Sequence, residues 1–345
     1  MSSANPVLVE ALRGGIVESF HRGAYAVLDA DGAVVEQQGD IERPVFPRSA
    51  VKVLQALPLV ASGAADAFAL ADEELALACA SHGGEEMHAR TAASMLAKAG
   101  LDAGVLECGA HWPYHDASLK ALAAACRPPS ALHNNCSGKH AGFVCLGCQL
   151  AGRRGADAFV RGYVQPDHPV MREVTAAMAA ATGFDLARTA RGTDGCSIPT
   201  YAIPLHHLAR AFARVATGHG LGPAHAGAAR RLRQAVAAAP QMVAGSGRFD
   251  SRVMQRLGAR VFCKVGAEGM YCAALPGPGL GIAVKMDDGN NARAVEVAMA
   301  ALLLRHLPAN EADEADAAFL RDFADAPLVN WNGIEVGRLA ARLPG

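Results

Sequence analysis

The sequence predicts an α+β fold in which N-terminal and C-terminal strands share one antiparallel sheet packed against a helical middle region. Three observations lead there. The first forty residues carry β-patterned segments joined by turn residues, helical periodicity runs from about residue 72 to residue 238, and strand patterning returns between residues 261 and 286. Strands at both ends of a helical stretch mark a segregated α+β arrangement, since a parallel α/β sheet would alternate strand and helix. With 345 residues and 51% hydrophobic content the chain can bury a large core. It has no Ser/Gly linker, low-complexity block or internal repeat, and so reads as one domain over residues 1–345.

Taken in order, strands are predicted at Leu8–Leu12, Ile16–Arg22, Ala24–Leu28 and Ala33–Gln37. Asp31-Gly32 between the last two is a hairpin signal, because a tight two-residue turn favours residues that accept positive φ. A proline-bounded connection, Pro44 to Pro47, leads to Ser49, after which Val51, Leu54, Leu57 and Leu59 trace an apolar helical face. Ser49 therefore stands at a helix start. Helices follow over Asp72–Ala80, Glu85–Ala99, Ala117–Cys126, Lys139–Leu150, Val170–Thr182, Pro204–Thr217 and Ala224–Ala238. Strands are expected again at Val261–Val265, Met270–Leu275 and Gly281–Met286, then a helix over Asn291–His306 and a short C-terminal piece around Gly333–Val336.

Composition excludes several function classes. Net charge is -1, and no dense Lys/Arg run is interleaved with aromatics, so nucleic acid is not an expected partner. No window approaches the ~18 uncharged apolar residues of a membrane span. The first ten residues lack a basic region followed by an apolar stretch, which points to the cytoplasm. Nine cysteines, an odd number scattered through a long chain, read as reduced thiols. Cys145 and Cys148 have a redox or zinc spacing but no second pair, and they read as packing within a helix.

Five segments concentrate reactive groups. Ser49-Ala50-Val51-Lys52 puts a hydroxyl one helical turn from an amine, on one helix face. A serine hydroxyl becomes nucleophilic when a base takes its proton, and a desolvated neutral lysine can be that base. Ser81-His82-Gly83-Gly84 lies between two predicted helices, where Ser81 can equally cap the helix beginning near Glu85. The block from His133 to His140 packs amides, a thiol, an amine and two imidazoles ahead of an apolar helix, with a capping function as its plain alternative. In Gly192-Thr193-Asp194-Gly195-Cys196 the carboxylate could pair with a substrate ammonium, though Asp-Gly is also ordinary turn chemistry. Lys264-Val265-Gly266 ends a β-patterned strand, the place where Ser-x-x-Lys acyltransferases carry a Lys-x-Gly element.

In this order the segments resemble the rhizobial-type (class 3) L-asparaginases, whose fold is similar to serine β-lactamases and glutaminases. The likeness runs nearly end to end, through Pro47-Arg48-Ser49-Ala50-Val51-Lys52, Ala80-Ser81-His82-Gly83-Gly84, Asn135-Cys136-Ser137-Gly138-Lys139-His140, Asp194-Gly195-Cys196-Ser197-Ile198-Pro199 and Lys264-Val265-Gly266-Ala267-Glu268-Gly269. It implies two Ser-Lys tandems in one pocket, Ser49 with Lys52 and Ser81 with Lys264, with Ser49 as nucleophile. It also implies one zinc per chain, bound by Cys136, Lys139 and Cys196 with a water. Arg48, His140 and Asp194 then support the pocket or orient the substrate. The implied reaction is hydrolysis of the side-chain amide of L-asparagine by a cytoplasmic homodimer. A glutaminase or β-lactam hydrolase shares the Ser-Lys elements, and a non-catalytic zinc scaffold is the alternative from another class.

Overall fold

The computed structural model describes residues 4–152, 155–308 and 313–344. The chain forms two compact units, one of Met1–Ala50, Ile203–Thr217 and Cys263–Gly345, the other of Val51–Ala202 and Gly218–Phe262. Neither is a contiguous stretch, because the chain passes between them after Ala50, Ala202, Thr217 and Phe262.

The first unit is built on an eight-stranded sheet. Its order is Asp325–Val329, Glu335–Ala341, Val7–Arg13, Ile16–Leu28, Leu280–Met286, Met270–Leu275 and Phe262–Val265, with Val34–Gln38 also pairing with Ile16–Leu28. N-terminal and C-terminal segments pair directly and antiparallel, as Ala26↔Ala283 and Val9↔Ala341 show. The α+β arrangement expected from the sequence is thus present. Ala24–Leu28 and Met270–Leu275 are buried at every position, so these strands are covered on both faces. Helices Leu205–Thr217 and Glu296–His306 pack against the sheet.

Two details differ from the sequence reading. Ile16–Leu28 is one strand of thirteen residues, continuous through Gly23, which pairs with Met286 and donates its N–H to Pro6 O. The C-terminal piece is a full hairpin whose strands are Asp325–Val329 and Glu335–Ala341, with Gly333 in the turn. There Asn330 Oδ1 accepts from the N–H groups of Asn332 and Ile334 at 2.9 and 3.0 Å. The Asp31-Gly32 turn forms as expected, with Asp29 Oδ1 accepting from the N–H groups of Asp31, Gly32 and Ala33.

The second unit is helical and centred on Ser137–Ala151, buried at every residue from Ser137 to Cys148. A helix apolar all round must lie inside other helices. Here Lys52–Ala61, Asp72–Ala78, Glu86–Lys98 and Pro169–Thr182 surround it. Cys145 and Cys148 sit on its buried surface, and among the described residues none of the nine cysteines forms a disulfide. Among the described residues no helix is long and apolar enough to cross a membrane.

Candidate active site

In the first unit, Ser49 lies in a short 3₁₀ turn, Arg48–Val51, that runs directly into the α-helix Lys52–Ala61. The turn closes through Ala50 N–H donating to Pro47 O at 3.1 Å. Arg48 has φ +52°, a left-handed conformation that costs a non-glycine residue on the order of 1–3 kcal/mol. Such strain persists only where the surroundings fix it, and here it aims the next residue, Ser49. A helix start also leaves backbone N–H groups without intrahelical acceptors, which suits them to a developing oxyanion.

The strand Phe262–Val265 delivers its end to the same turn. A Cβ on Gly266 would stand 2.7 Å from Pro47 O, so only glycine allows this approach. Asn291 holds the following loop, donating from Nδ2 to Gly266 O at 3.2 Å and accepting at Oδ1 from Gly269 N–H at 2.8 Å. Lys264, fully buried on that strand, donates to Val265 O at 2.8 Å. The Lys-x-Gly element and the Ser49 turn are therefore neighbours through Gly266 and Pro47. Gly266→Ala should displace the Ser49 turn and lower kcat/KM by about 10²-fold, with a smaller effect on stability. A steady-state activity assay and a melting curve on the same preparation check this, and unchanged kcat/KM would count against it.

In the second unit, three segments meet on Asn135. Lys52, 1% exposed, donates from Nζ to Ala80 O at 2.5 Å, to Asn135 O at 3.4 Å and to Cys136 Sγ at 3.0 Å. Asn135 Nδ2 donates to Ser81 Oγ at 3.1 Å, and Asn135 N–H donates to His111 Nε2 at 2.9 Å. Ser81 does not cap the next helix. The Ser81–Gly83 segment is instead held extended, with Ser81 N–H donating to Val243 O and Gly83 N–H to Ala244 O, both at 2.9 Å.

The helix Glu86–Lys98 is capped by its own residue His88, whose Nδ1 accepts from Glu85 N–H at 3.1 Å while Nε2 donates to Gln241 O at 3.2 Å. With Nδ1 committed as an acceptor the ring is neutral, and burial accordingly lowers its pKa from the ordinary ~6.5. The unfolded chain then takes up a proton at this residue before the folded protein does. Stability should be intact above pH ~7 and fall as pH drops below ~6.5 toward the folded value. Denaturant midpoints at pH 7.5 and 5.5 test this: His88→Gln should show a smaller fall than wild type, and an equal fall would rule His88 out.

The expected metal ligands also converge. Cys196 donates its thiol hydrogen to Cys136, and that bond, with the nearby Lys52 and Lys139 cations, holds Cys136 well below the usual thiol range despite burial. The same bond, together with burial, pushes Cys196 up. Lys139, 1% exposed, donates to Cys196 Sγ at 3.0 Å. Two thiols and an amine on adjoining segments would form a donor set for a soft divalent ion once the amine and the thiols shed their protons to it. Among the described residues no group of three His, Cys, Asp or Glu is placed for a metal.

Asp194 stands in a closed turn beside this cluster. Its Oδ1 accepts from Gly195 N–H at 2.7 Å, its carbonyl accepts from Ser197 N–H at 2.9 Å, and Ser197 carries φ +76°. Its charge acts on both Lys139 and Cys196. The turn reading of this Asp-Gly is thus met by the backbone. His140 is fully buried, with burial first and the Lys139 and Lys52 cations second pushing its pKa well down.

The L-asparaginase II family matches the chain over residues 9–341. The chain belongs to that family. This L-asparaginase II family member is also similar to two solved structures. One is a beta-lactamase (Mb2281c) from Mycobacterium bovis, 14% identical over 83% of this chain and 95% of that one, with TM-score 0.40. The other is Mglu, 17% identical over 85% of this chain and 69% of that one, with TM-score 0.38. No curated protein matches the sequence.

Of the residues singled out from the sequence, Arg48, Ser49 and Lys264 lie in the first unit of this family member. Lys52, Ser81, Cys136, Lys139, His140, Asp194 and Cys196 lie in the second. Sequence reasoning did not single out Asn135 or Asn291 by themselves. Asn135 had a signal, its place in the dense block before the helix Ser137–Ala151. Asn291 had none beyond its place at a predicted helix start.

Proposed function

We propose that the protein hydrolyses the side-chain amide of L-asparagine to L-aspartate and ammonia through an acyl-enzyme on Ser49. The observation that carries this is the junction at Asn135, whose carbonyl takes the Lys52 amine and whose amide donates to Ser81. The lysine one turn beyond Ser49 and the second serine are thereby both held to one residue.

Lys52 is the base in this reading. It accepts the Ser49 Oγ proton as Oγ bonds to the amide carbon, and the tetrahedral oxygen takes hydrogen bonds from backbone N–H groups at the helix start. Collapse breaks the C–N bond, and nitrogen leaves as ammonia with a proton returned through Lys52 or Ser81. Water then adds to the ester carbon, giving up a proton to the same groups, and releases aspartate and the free hydroxyl. Ser81 and Lys264 form the second Ser-Lys tandem that the family likeness implies, and Arg48, His140 and Asp194 orient the substrate in this reading. Cys136, Lys139 and Cys196 would hold zinc, which supplies a positive charge for an oxygen of the substrate. A twofold dimer in the cytoplasm is the expected setting by family likeness.

The deciding experiment is ammonia release from L-asparagine and, separately, from L-glutamine by the full chain. Turnover of asparagine supports the reading. A pocket separates two amides differing by one methylene by only ~1–3 kcal/mol without a steric block, so faster turnover of glutamine would move the assignment to a glutaminase. No ammonia from either would overturn it.

A further inference from the structure

The least explained polar atom in the second unit is the His140 Nε2. It is buried and has no hydrogen-bond partner in the structure, on a residue itself fully buried. Leaving such a group unpaired is costly, so a native fold retains one where something else is to fill it. Whether that nitrogen is a donor or an acceptor depends on the other ring nitrogen.

His140 Nδ1 lies 2.6 Å from the hydroxyl of Tyr163, which is also fully buried. That hydroxyl accepts from Glu107 N–H at 2.9 Å. The Glu107 carboxylate in turn accepts from Gly162 N–H at 2.7 Å, so the residue before Tyr163 and Tyr163 itself are both clamped to Glu107. Tyr163 has a single hydroxyl hydrogen, and with Glu107 occupying its oxygen as donor, the acceptor in reach for that hydrogen is His140 Nδ1. The tyrosine ring meets the imidazole edge-on, with centroids 5.4 Å apart, and Phe143 lies 5.6 Å from it, which hinders the imidazole from flipping. The clamp also reaches the Cys136 loop: Asn134 donates to Cys108 O at 2.9 Å, next to Glu107, and accepts from Cys136 N–H at 2.8 Å.

We infer that Tyr163 is a positioning residue, locking His140 in the tautomer that carries its hydrogen on Nε2, so that Nε2–H is a free donor for an oxygen of an amino-acid amide. Resting on the reading above, this adds a residue that the sequence did not mark and gives the substrate-orienting histidine one polarity. An acceptor oxygen is recognised there, and an ammonium or amide N–H is not.

The test uses full-length protein labelled with ¹⁵N-histidine and two-bond ¹H–¹⁵N spectra, with His140→Asn identifying the resonance. Wild type should show Nε2 protonated and Nδ1 bare without any substrate present. In Tyr163→Phe the tautomer should become mixed or invert, and KM for asparagine should rise about tenfold, the worth of one hydrogen bond, with a smaller fall in kcat. His140→Gln, whose amide nitrogen can reach the Nε2 position, should keep KM nearer wild type than His140→Asn does. A wild-type His140 protonated on Nδ1 overturns the inference, as does a Tyr163→Phe protein that keeps both tautomer and KM. If Tyr163→Phe does not fold, the wild-type spectrum and the Gln/Asn pair still decide. The spectrum needs no turnover, so failure of the asparaginase reading and failure of the tautomer lock are seen separately.

Discussion

Ser49→Ala is expected to lower ammonia release from L-asparagine by about 10⁴–10⁶-fold while leaving the melting temperature within roughly 2 °C of wild type. The size follows from what the hydroxyl is for. Without it no acyl-enzyme forms, and the remaining groups can only bind and polarise the amide. The small effect on stability follows from the position, a half-buried side chain in a turn closed by backbone atoms of Pro47 and Ala50. Lys52→Ala should lose comparable activity but also stability, because Ala80 O, Asn135 O and Cys136 Sγ would each lose a donor inside the core. The contrast separates a nucleophile from a buried amine that is also structural. Ser49→Ala retaining more than about 1% of wild-type turnover would remove Ser49 from the mechanism, and Ser81 would then have to be tested as the attacking group.

The sheet was legible because its strands carry their own pattern. Met270–Leu275 and Leu280–Met286 are short apolar runs bounded by Gly and Pro, and they form where expected. The amphipathic helix Leu205–Thr217 was equally plain, with one apolar face against the sheet. Glu314–Ala324 was not, because its buried residues are just Asp316 and Leu320, too few for a periodic signal. The helix start at Ser49 was legible from the prolines before it and the apolar face after it, but the strained φ at Arg48 was not, since it comes from the surroundings and not from any preference of arginine. At the site, the sequence marked the groups whose chemistry stands out locally. It did not mark Asn291 or Tyr163, and marked Asn135 only as part of a dense block, because the importance of all three lies in partners 22 to 54 residues away, such as Ser81, Gly266, Gly269 and His140.

Gly138→Ala poses the sharpest conflict between local preference and packing. Glycine inside a helix is worse than alanine by about 1 kcal/mol, so on the isolated helix Ser137–Ala151 the substitution would stabilise. In the folded protein a Cβ at Gly138 would stand 2.5 Å from Leu77 O and overlap Leu77 Cγ. The carbonyl belongs to the helix Asp72–Ala78 and cannot rotate away, so the two helices must separate. Overpacking of this kind costs about 1–3 kcal/mol, and more when backbone is the obstacle, which outweighs the gain in propensity. The melting temperature should fall by roughly 4–8 °C. Activity should fall with it, because Asp72–Ala78 leads to Ala80 and Ser81, while Gly138 is followed by Lys139. Gly142→Ala, one turn along the same helix, is the control. Its Cβ would meet Leu59 Cδ2 at 3.2 Å, the far end of a side chain that can shift, so it should leave stability near wild type or raise it slightly. Melting curves of the two variants with the ammonia assay decide the matter: a Gly138→Ala protein as stable as Gly142→Ala would mean that the close approach of these helices is not what fixes the glycine.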